Sequence, residues 1–213
     1  MMPAVAALVV AYLSGSIPSA YLAGRLKGID LRTVGSGNLG ATNVYRTLGG
    51  RVAAVVFAVD VLKGALPVLL LPRLVFAPGA AADSTSAAWF AIACGVAAIV
   101  GHARSIFLLW KGGGKGVATG AGIFLAIAPV PLMIALVSFA AVLWRTGYVS
   151  AGSLTAAVVL VAGMLVLGDV QSPATIASVA ICVFVFWSHR ANIQRLRAGT
   201  EHRFSRKKAG EGA

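Results

Sequence analysis

Six apolar stretches alternate along the chain with shorter polar segments. They cover residues 3–24, 52–72, 87–100, 117–144, 151–167 and 174–187. Most approach the roughly 20 residues that an α-helix needs to cross a bilayer. The fourth is long for one span and short for two, and Pro129 and Pro131 near its middle predict two short helices joined by a tight turn. The pattern therefore predicts an all-α, polytopic membrane protein of seven transmembrane helices, forming one domain over residues 1–204. Residues 205–213 read as a basic, flexible tail. Ser14, Gly15, Ser16 and Pro18 interrupt the first stretch, for which close helix packing or a proline kink and contact with a ligand are both open readings.

Composition supports this class. The 213 residues are 59% hydrophobic and 11% charged, with a mean hydropathy of +0.89, outside the range of an ordinary soluble domain. A net charge of +12 raises the question of nucleic acid, but the basic residues sit between apolar stretches without interleaved aromatics, so no nucleic-acid partner is expected. Their distribution sets topology. With seven spans and the N-terminus outside, every Lys and Arg except Lys63 and Arg73 falls on the inner side, together with the C-terminus. That places the protein in a cytoplasmic (inner) membrane with its polar segments facing the cytoplasm.

The chemistry concentrates in those inner segments. Gly35-Ser36-Gly37-Asn38-Leu39-Gly40-Ala41-Thr42-Asn43-Val44-Tyr45-Arg46 is a glycine-rich island in which backbone N–H groups can point at an anion. A short helix starting near Ala41 would add its N-terminal partial charge and set Thr42 and Arg46 on one face. The island also spells G-x-G-x-x-G, but a dinucleotide-binding unit needs a buried strand and a βαβ crossover where this chain has apolar stretches of membrane length. A second island, 101–116, ends in Lys111-Gly112-Gly113-Gly114-Lys115-Gly116. It fails the triphosphate-binding pattern, because Leu109 holds the first glycine position and Gly116 stands where Ser or Thr belongs. His189 and Asn192, three apart, share a face beyond the last span. Asp60 and Lys63 lie three apart inside the second span, and a functional pair and a purely structural ion pair are both open. No metal-ligand spacing, nucleophile elbow or carboxylate pair is present. Cations, amides, hydroxyls and glycine N–H groups remain, which suits a phosphate-bearing substrate and a developing oxyanion at the membrane surface. A small transporter of an anionic metabolite, with Asp60 and Lys63 in its path, is the alternative.

Four ordered motifs carry a resemblance. V-G-S-G-N-L-G-A-T-N-V-Y-R-T-L-G, G-H with F-L-x-W-K-G-G-G-K-G-V-A-T, Y-V-S at 148–150 and H-R-A-N-I-Q-R-L-R-A-G-T-E-H-R near the end resemble the bacterial acyl-phosphate:glycerol-3-phosphate acyltransferases of the PlsY type. S-G-S-I-P in the first span and D-V-L-K-G in the second extend the likeness over nearly the whole chain. It implies an enzyme that moves a fatty acyl group from acyl phosphate to glycerol 3-phosphate, giving lysophosphatidate, the first acylated phospholipid precursor. It implies no cofactor and no metal. The implied partners are the two substrates, membrane lipid and the enzyme that supplies acyl phosphate.

Carried over position by position, the resemblance implies an acyl-phosphate cradle of Ser36, Gly37, Asn38 and Thr42, with Ser150 approaching from another loop. Ser150 as a helix cap remains open. Arg46, Lys115, His189 and Asn192 fall on the glycerol-3-phosphate side, and Ser36, His189 and Asn192 are the implied catalytic residues. This chain departs from the family pattern in two places, with three glycines between its lysines where two are usual and Ser105 where a proline is usual. The extra glycine leaves open whether Lys111 shares the role of Lys115.

Overall fold

The structure, a computed structural model, describes residues 2–76 and 84–204. The basic tail expected at 205–213 and the middle of the loop expected at 73–86 lie outside the described residues. Among the described residues helices are joined by loops, the longest of them over 26–40, and there is no strand, which removes the dinucleotide-binding alternative. The helices are α1 (Ala4–Ser16), α2 (Ser19–Arg25), α3 (Ala41–Leu48), α4 (Gly50–Val75), α5 (Ser84–Ala103), α6 (Val117–Ile127), α7 (Pro129–Thr146), α8 (Val149–Leu167), α9 (Pro173–Ser188) and α10 (Arg190–Arg197).

Among the described residues, five segments are long and apolar enough to cross a membrane: Ala4–Arg25, α4, Thr85–Leu108, α7 and α8. A sixth is counted if α9 and α10, bent by 59° at their junction, are taken together. Helix α6 is apolar but has only 11 residues, about 16 Å at 1.5 Å per residue. The expected division of residues 117–144 does occur, between α6 and α7, with Pro129 opening the second helix.

The first apolar stretch is broken at Ile17–Pro18, because Pro18 has no N–H for the helix ladder and its ring excludes the preceding turn. In a bilayer the carbonyls so released need donors within the protein. Ser105 Oγ donates to Ser16 O at 2.5 Å and Lys63 Nζ donates to Ile17 O at 3.0 Å. The interruption thus serves side-chain attachment from α4 and the loop after α5.

Packing depends on small residues at two helix crossings. A Cβ on Gly64 of α4 would overlap Thr119 O of α6, and one on Gly122 of α6 would overlap Val61 O of α4. Gly15 of α1 stands in the same relation to Ala98 O of α5. Such contacts let backbones approach where lipid supplies no hydrophobic drive between helices. The main core, around Ile123, Phe124, Leu132, Leu160 and Ile181, lies among α6, α7, α8 and α9. A second cluster, Leu31, Leu39 and Val44 with Val56 of α4, sits beneath the glycine-rich island. Outward-facing Val137, Val166 and Val183 are 65–80% exposed, as lipid-facing positions are.

The α4–α6 crossing yields a stability prediction. Gly64→Ala drives a methyl group into the Thr119 carbonyl and should cost about 1–3 kcal/mol, the usual range for overpacking. The readout is a lower thermal unfolding midpoint in detergent. Gly50→Ala, where the nearest atom to the new methyl is an ordinary 3.5 Å contact with Tyr45, should leave the midpoint close to wild type.

Candidate active site

Asn43 folds the first island. Its side chain is 2% exposed, with Nδ2 donating to Leu31 O (3.2 Å) and Val34 O (3.1 Å) and Oδ1 accepting from Ser36 N–H (3.0 Å). Gly35, at φ +64°, brings the backbone so close to Asn43 Oδ1 that a Cβ would overlap it. These constraints turn Ser36 and Asn38 toward the start of α3, the short helix expected near Ala41.

Residues far apart in sequence converge there on a cavity of about 340 Å³, within the volume range of small-molecule sites. Ser36, Asn38, Thr42 and Arg46 line it from the first island and α3, Lys115 from the second island, Ser150 from α8, and His189 and Asn192 from the α9–α10 bend. Each of these was singled out from the sequence. Gly37 is not among the lining residues: at φ +67° its N–H donates to Val34 O and turns the loop behind the cavity. Lys111 is exposed and does not line the cavity, so the extra glycine leaves Lys115 as the lysine at the site. Beside it lies an apolar cavity of about 130 Å³ among α6, α7, α8 and α9, sharing Phe57, Gly116, Val117, Ala118, Phe139 and Ser153 as walls.

The segment after α10 folds back over this region. Phe204 N–H donates to Gly147 O at 2.6 Å, its ring stacks on Tyr45 at 4.5 Å, and Arg46 donates to His202 O at 3.0 Å. Glu201 accepts from Ser150 Oγ (2.9 Å), Asn192 Nδ2 (2.6 Å) and Arg195 Nε (2.7 Å). Asn192 Oδ1 in turn accepts from Lys115 Nζ. Ser150 therefore does not cap α8, whose N-cap is Tyr148; its hydroxyl is committed to Glu201. Sequence reading gave no role to Asn43 or Glu201. The available signal for Glu201 was a lone carboxylate in a segment otherwise rich in Arg.

Electrostatics distinguishes the groups. Burial pushes Lys115 down to about 8; the Glu201 carboxylate opposes the shift, and Arg195 and Arg46 add to it. The ammonium is therefore charged at pH 7 and is lost as pH rises through about 8. Burial also lowers Arg46, which stays cationic. Glu201 is pushed up by burial, but its bonds from Asn192, Arg195 and Ser150 outweigh that and hold it below the usual carboxylate range. His189, just beyond the end of α9, is pushed down to about 4 by burial and then by the Lys115 charge. Its Nδ1 lies 2.8 Å from Val185 O, so the neutral ring carries its proton on Nδ1 and offers Nε2 as an acceptor.

Asp60 and Lys63 pair at 2.8 Å and are 1% and 5% exposed. Lys63 is anchored to Ile17 O and Asp60 also accepts from Ser19 Oγ at 2.6 Å. Lys63 is thus locked in a buried network and lines no part of the main cavity, whereas Asp60 does reach its wall.

The family model described as glycerol-3-phosphate acyltransferase matches residues 5–199. The glycerol-3-phosphate acyltransferase of Geobacter sulfurreducens is 44% identical over 92% of this chain and 94% of its own length. The crystal structure of PlsY (YgiH), an integral membrane glycerol 3-phosphate acyltransferase, in its glycerol 3-phosphate form, superposes with a TM-score of 0.85 at 35% identity, covering 95% of this chain and 96% of that one. Its lysophosphatidic acid form gives 0.82 at 34% identity, covering 95% of each chain. From 44% identity along nearly its full length and the same helical framework, the chain belongs to the glycerol-3-phosphate acyltransferase family.

Proposed function

We propose that the protein transfers a fatty acyl group from acyl phosphate to glycerol 3-phosphate, releasing lysophosphatidate and phosphate. The observation that carries this reading is the convergence of two island loops, Ser150 and the His189–Asn192 bend on one polar cavity with an apolar cavity at its side. The polar part suits two phosphate groups and the apolar part an acyl chain. The related structures in glycerol 3-phosphate and lysophosphatidic acid forms support acceptor and product of this kind.

In this reading Ser36, Asn38 and Thr42 hold the donor phosphate, with Gly37 setting the loop, and Ser150 joins from α8 once its hydroxyl turns from Glu201 to the phosphate. Arg46 and Lys115 clamp the acceptor phosphate through charge-assisted bonds, while His189 and Asn192 position the acceptor's hydroxyls. One of them attacks the acyl carbonyl, a C–O bond forms, and the bond from the carbonyl to the phosphate oxygen breaks. The hydroxyl proton passes to an oxygen of the departing phosphate, so the phosphate is both leaving group and base. Burial and the Lys115 charge lower the basicity of His189, which favours the phosphate oxygen as the proton acceptor.

Counting α6 and α9 with the five longer segments gives seven spans. The N-terminus then lies outside, and the site faces the cytoplasm of the inner membrane. The positive charge of the island loops and of the segment after α9 supports this orientation. An enzyme that releases acyl phosphate at the same membrane surface is the fitting donor source.

Two outcomes check the reading. Purified protein given acyl phosphate and glycerol 3-phosphate should form lysophosphatidate and phosphate in equal amounts. Product from acyl-CoA or acyl carrier protein at a comparable rate would contradict the assigned donor. Lys115→Ala removes a charged hydrogen bond of about 1.5–3 kcal/mol, so the KM for glycerol 3-phosphate at pH 7 should rise about ten- to a hundredfold. Lys111→Ala should stay near wild type. In the wild type that KM should climb above about pH 8 as Lys115 loses its proton, and in Lys115→Ala the climb should vanish.

A further inference from the structure

The buried pair on α4 has a third member. His102, at the end of α5 and 7% exposed, sets Nδ1 3.8 Å from Asp60 Oδ1. The opposite edge of its ring faces the second island: a Cβ on Gly114 would overlap His102 Nε2, so the island's backbone rests directly on the imidazole. Gly114 N–H also donates to His102 O at 3.2 Å. Lys115 is the next residue.

We propose that His102, oriented by Asp60, is a positioning residue that holds the Gly113–Lys115 turn at the height where Lys115 reaches the acceptor phosphate. The proposal rests on the assignment of Lys115 to that phosphate. Asp60 and His102 both line the reaction cavity, and a bare carboxylate there would repel two anionic substrates. Lys63, 2.8 Å from Asp60, cancels that charge. The floor of the anion site is therefore neutral yet rigid, anchored through Ser19 Oγ and Ile17 O to the break between α1 and α2. This gives the intramembrane charges a task in the reaction without contact with substrate.

The donor loop is held separately. Asn38 Nδ2 donates to Gly113 O at 3.3 Å, but the loop's shape is set by the three bonds of Asn43. Loss of the His102 support should therefore fall on the acceptor side.

The test measures both KM values and kcat for purified full-length protein. His102→Asn keeps a polar side chain on the side that faces Asp60 but withdraws the ring from Gly114. It should raise the KM for glycerol 3-phosphate about tenfold, with kcat and the KM for acyl phosphate within about threefold of wild type, the signature of lost acceptor binding. His102→Gln returns an amide to the Nε2 position and should recover most of the loss. Asp60→Asn made together with Lys63→Gln, which removes the charge that orients the ring without leaving Lys63 unpaired beside the anion site, should show the same acceptor-specific rise, and it carries the test if His102→Asn does not fold. An unchanged KM for glycerol 3-phosphate, or equal rises in both KM values, overturns the proposal. Lys115→Ala is measured alongside: an unchanged acceptor KM there overturns the assignment of Lys115 and the proposal with it, whereas a rise in Lys115→Ala without one in the His102 and Asp60 variants overturns the positioning role alone.

Discussion

Glu201 ties the segment after α10 to α8 and to α10 itself at once, and the shape of the site depends on that attachment. Its carboxylate takes bonds from Ser150, Asn192 and Arg195, and Asn192 passes the constraint to Lys115. With its side chain only 5% exposed, a carboxylate so placed must be fully paired to be tolerated. Each partner is thereby fixed in return. One acid thus orders groups from the α8 start, the α10 face and the second island, while Phe204 and His202 of the same segment fasten onto Tyr45 and Arg46.

The charge balance follows from the same contact. Arg46, Lys115 and Arg195 surround a single carboxylate, leaving a surplus of positive charge at a buried site. Desolvation holds Lys115 near 8, so it remains an ammonium with few competing partners at neutral pH. In the proposed function, two phosphates entering such a site meet charge and donors already in place, which is how preorganised electrostatics differs from solvation by water. The buried Asp60–Lys63 pair adds no net charge to this balance.

The helical class and the cavity-lining residues were largely legible in the sequence, because polar and glycine-rich islands stand out in an apolar chain. Helix α3 began where expected, and the break between α6 and α7 fell at Pro129. Span count was less legible: α6 is too short to be recognised by length, and α9 bends into α10. What could not be read were roles fixed by distant contacts. Ser150 meets Glu201 across 51 positions and Arg46 meets His202 across 156. Asp60 and Lys63 were visible as a pair by their spacing, but Ser19, Ile17 and His102, which complete their network, come from elements that only the fold brings together.

In the proposed mechanism the protein supplies position and charge while the substrate's own phosphate takes the proton. Neutral His189, with its proton held toward Val185 O, then only accepts a bond from the hydroxyl of the acceptor that does not react, and the attacking hydroxyl keeps its proton for the phosphate. The carbonyl of a glutamine side chain can accept the same bond. The most direct measurement is the turnover of His189→Gln at saturating substrates across the pH range. Turnover should stay within about tenfold of wild type with an unchanged pH profile, since no general base has been removed. A loss of about a hundredfold or more, the lower end of what a general base contributes, together with disappearance of a limb from the profile, would contradict this mechanism and make His189 the base.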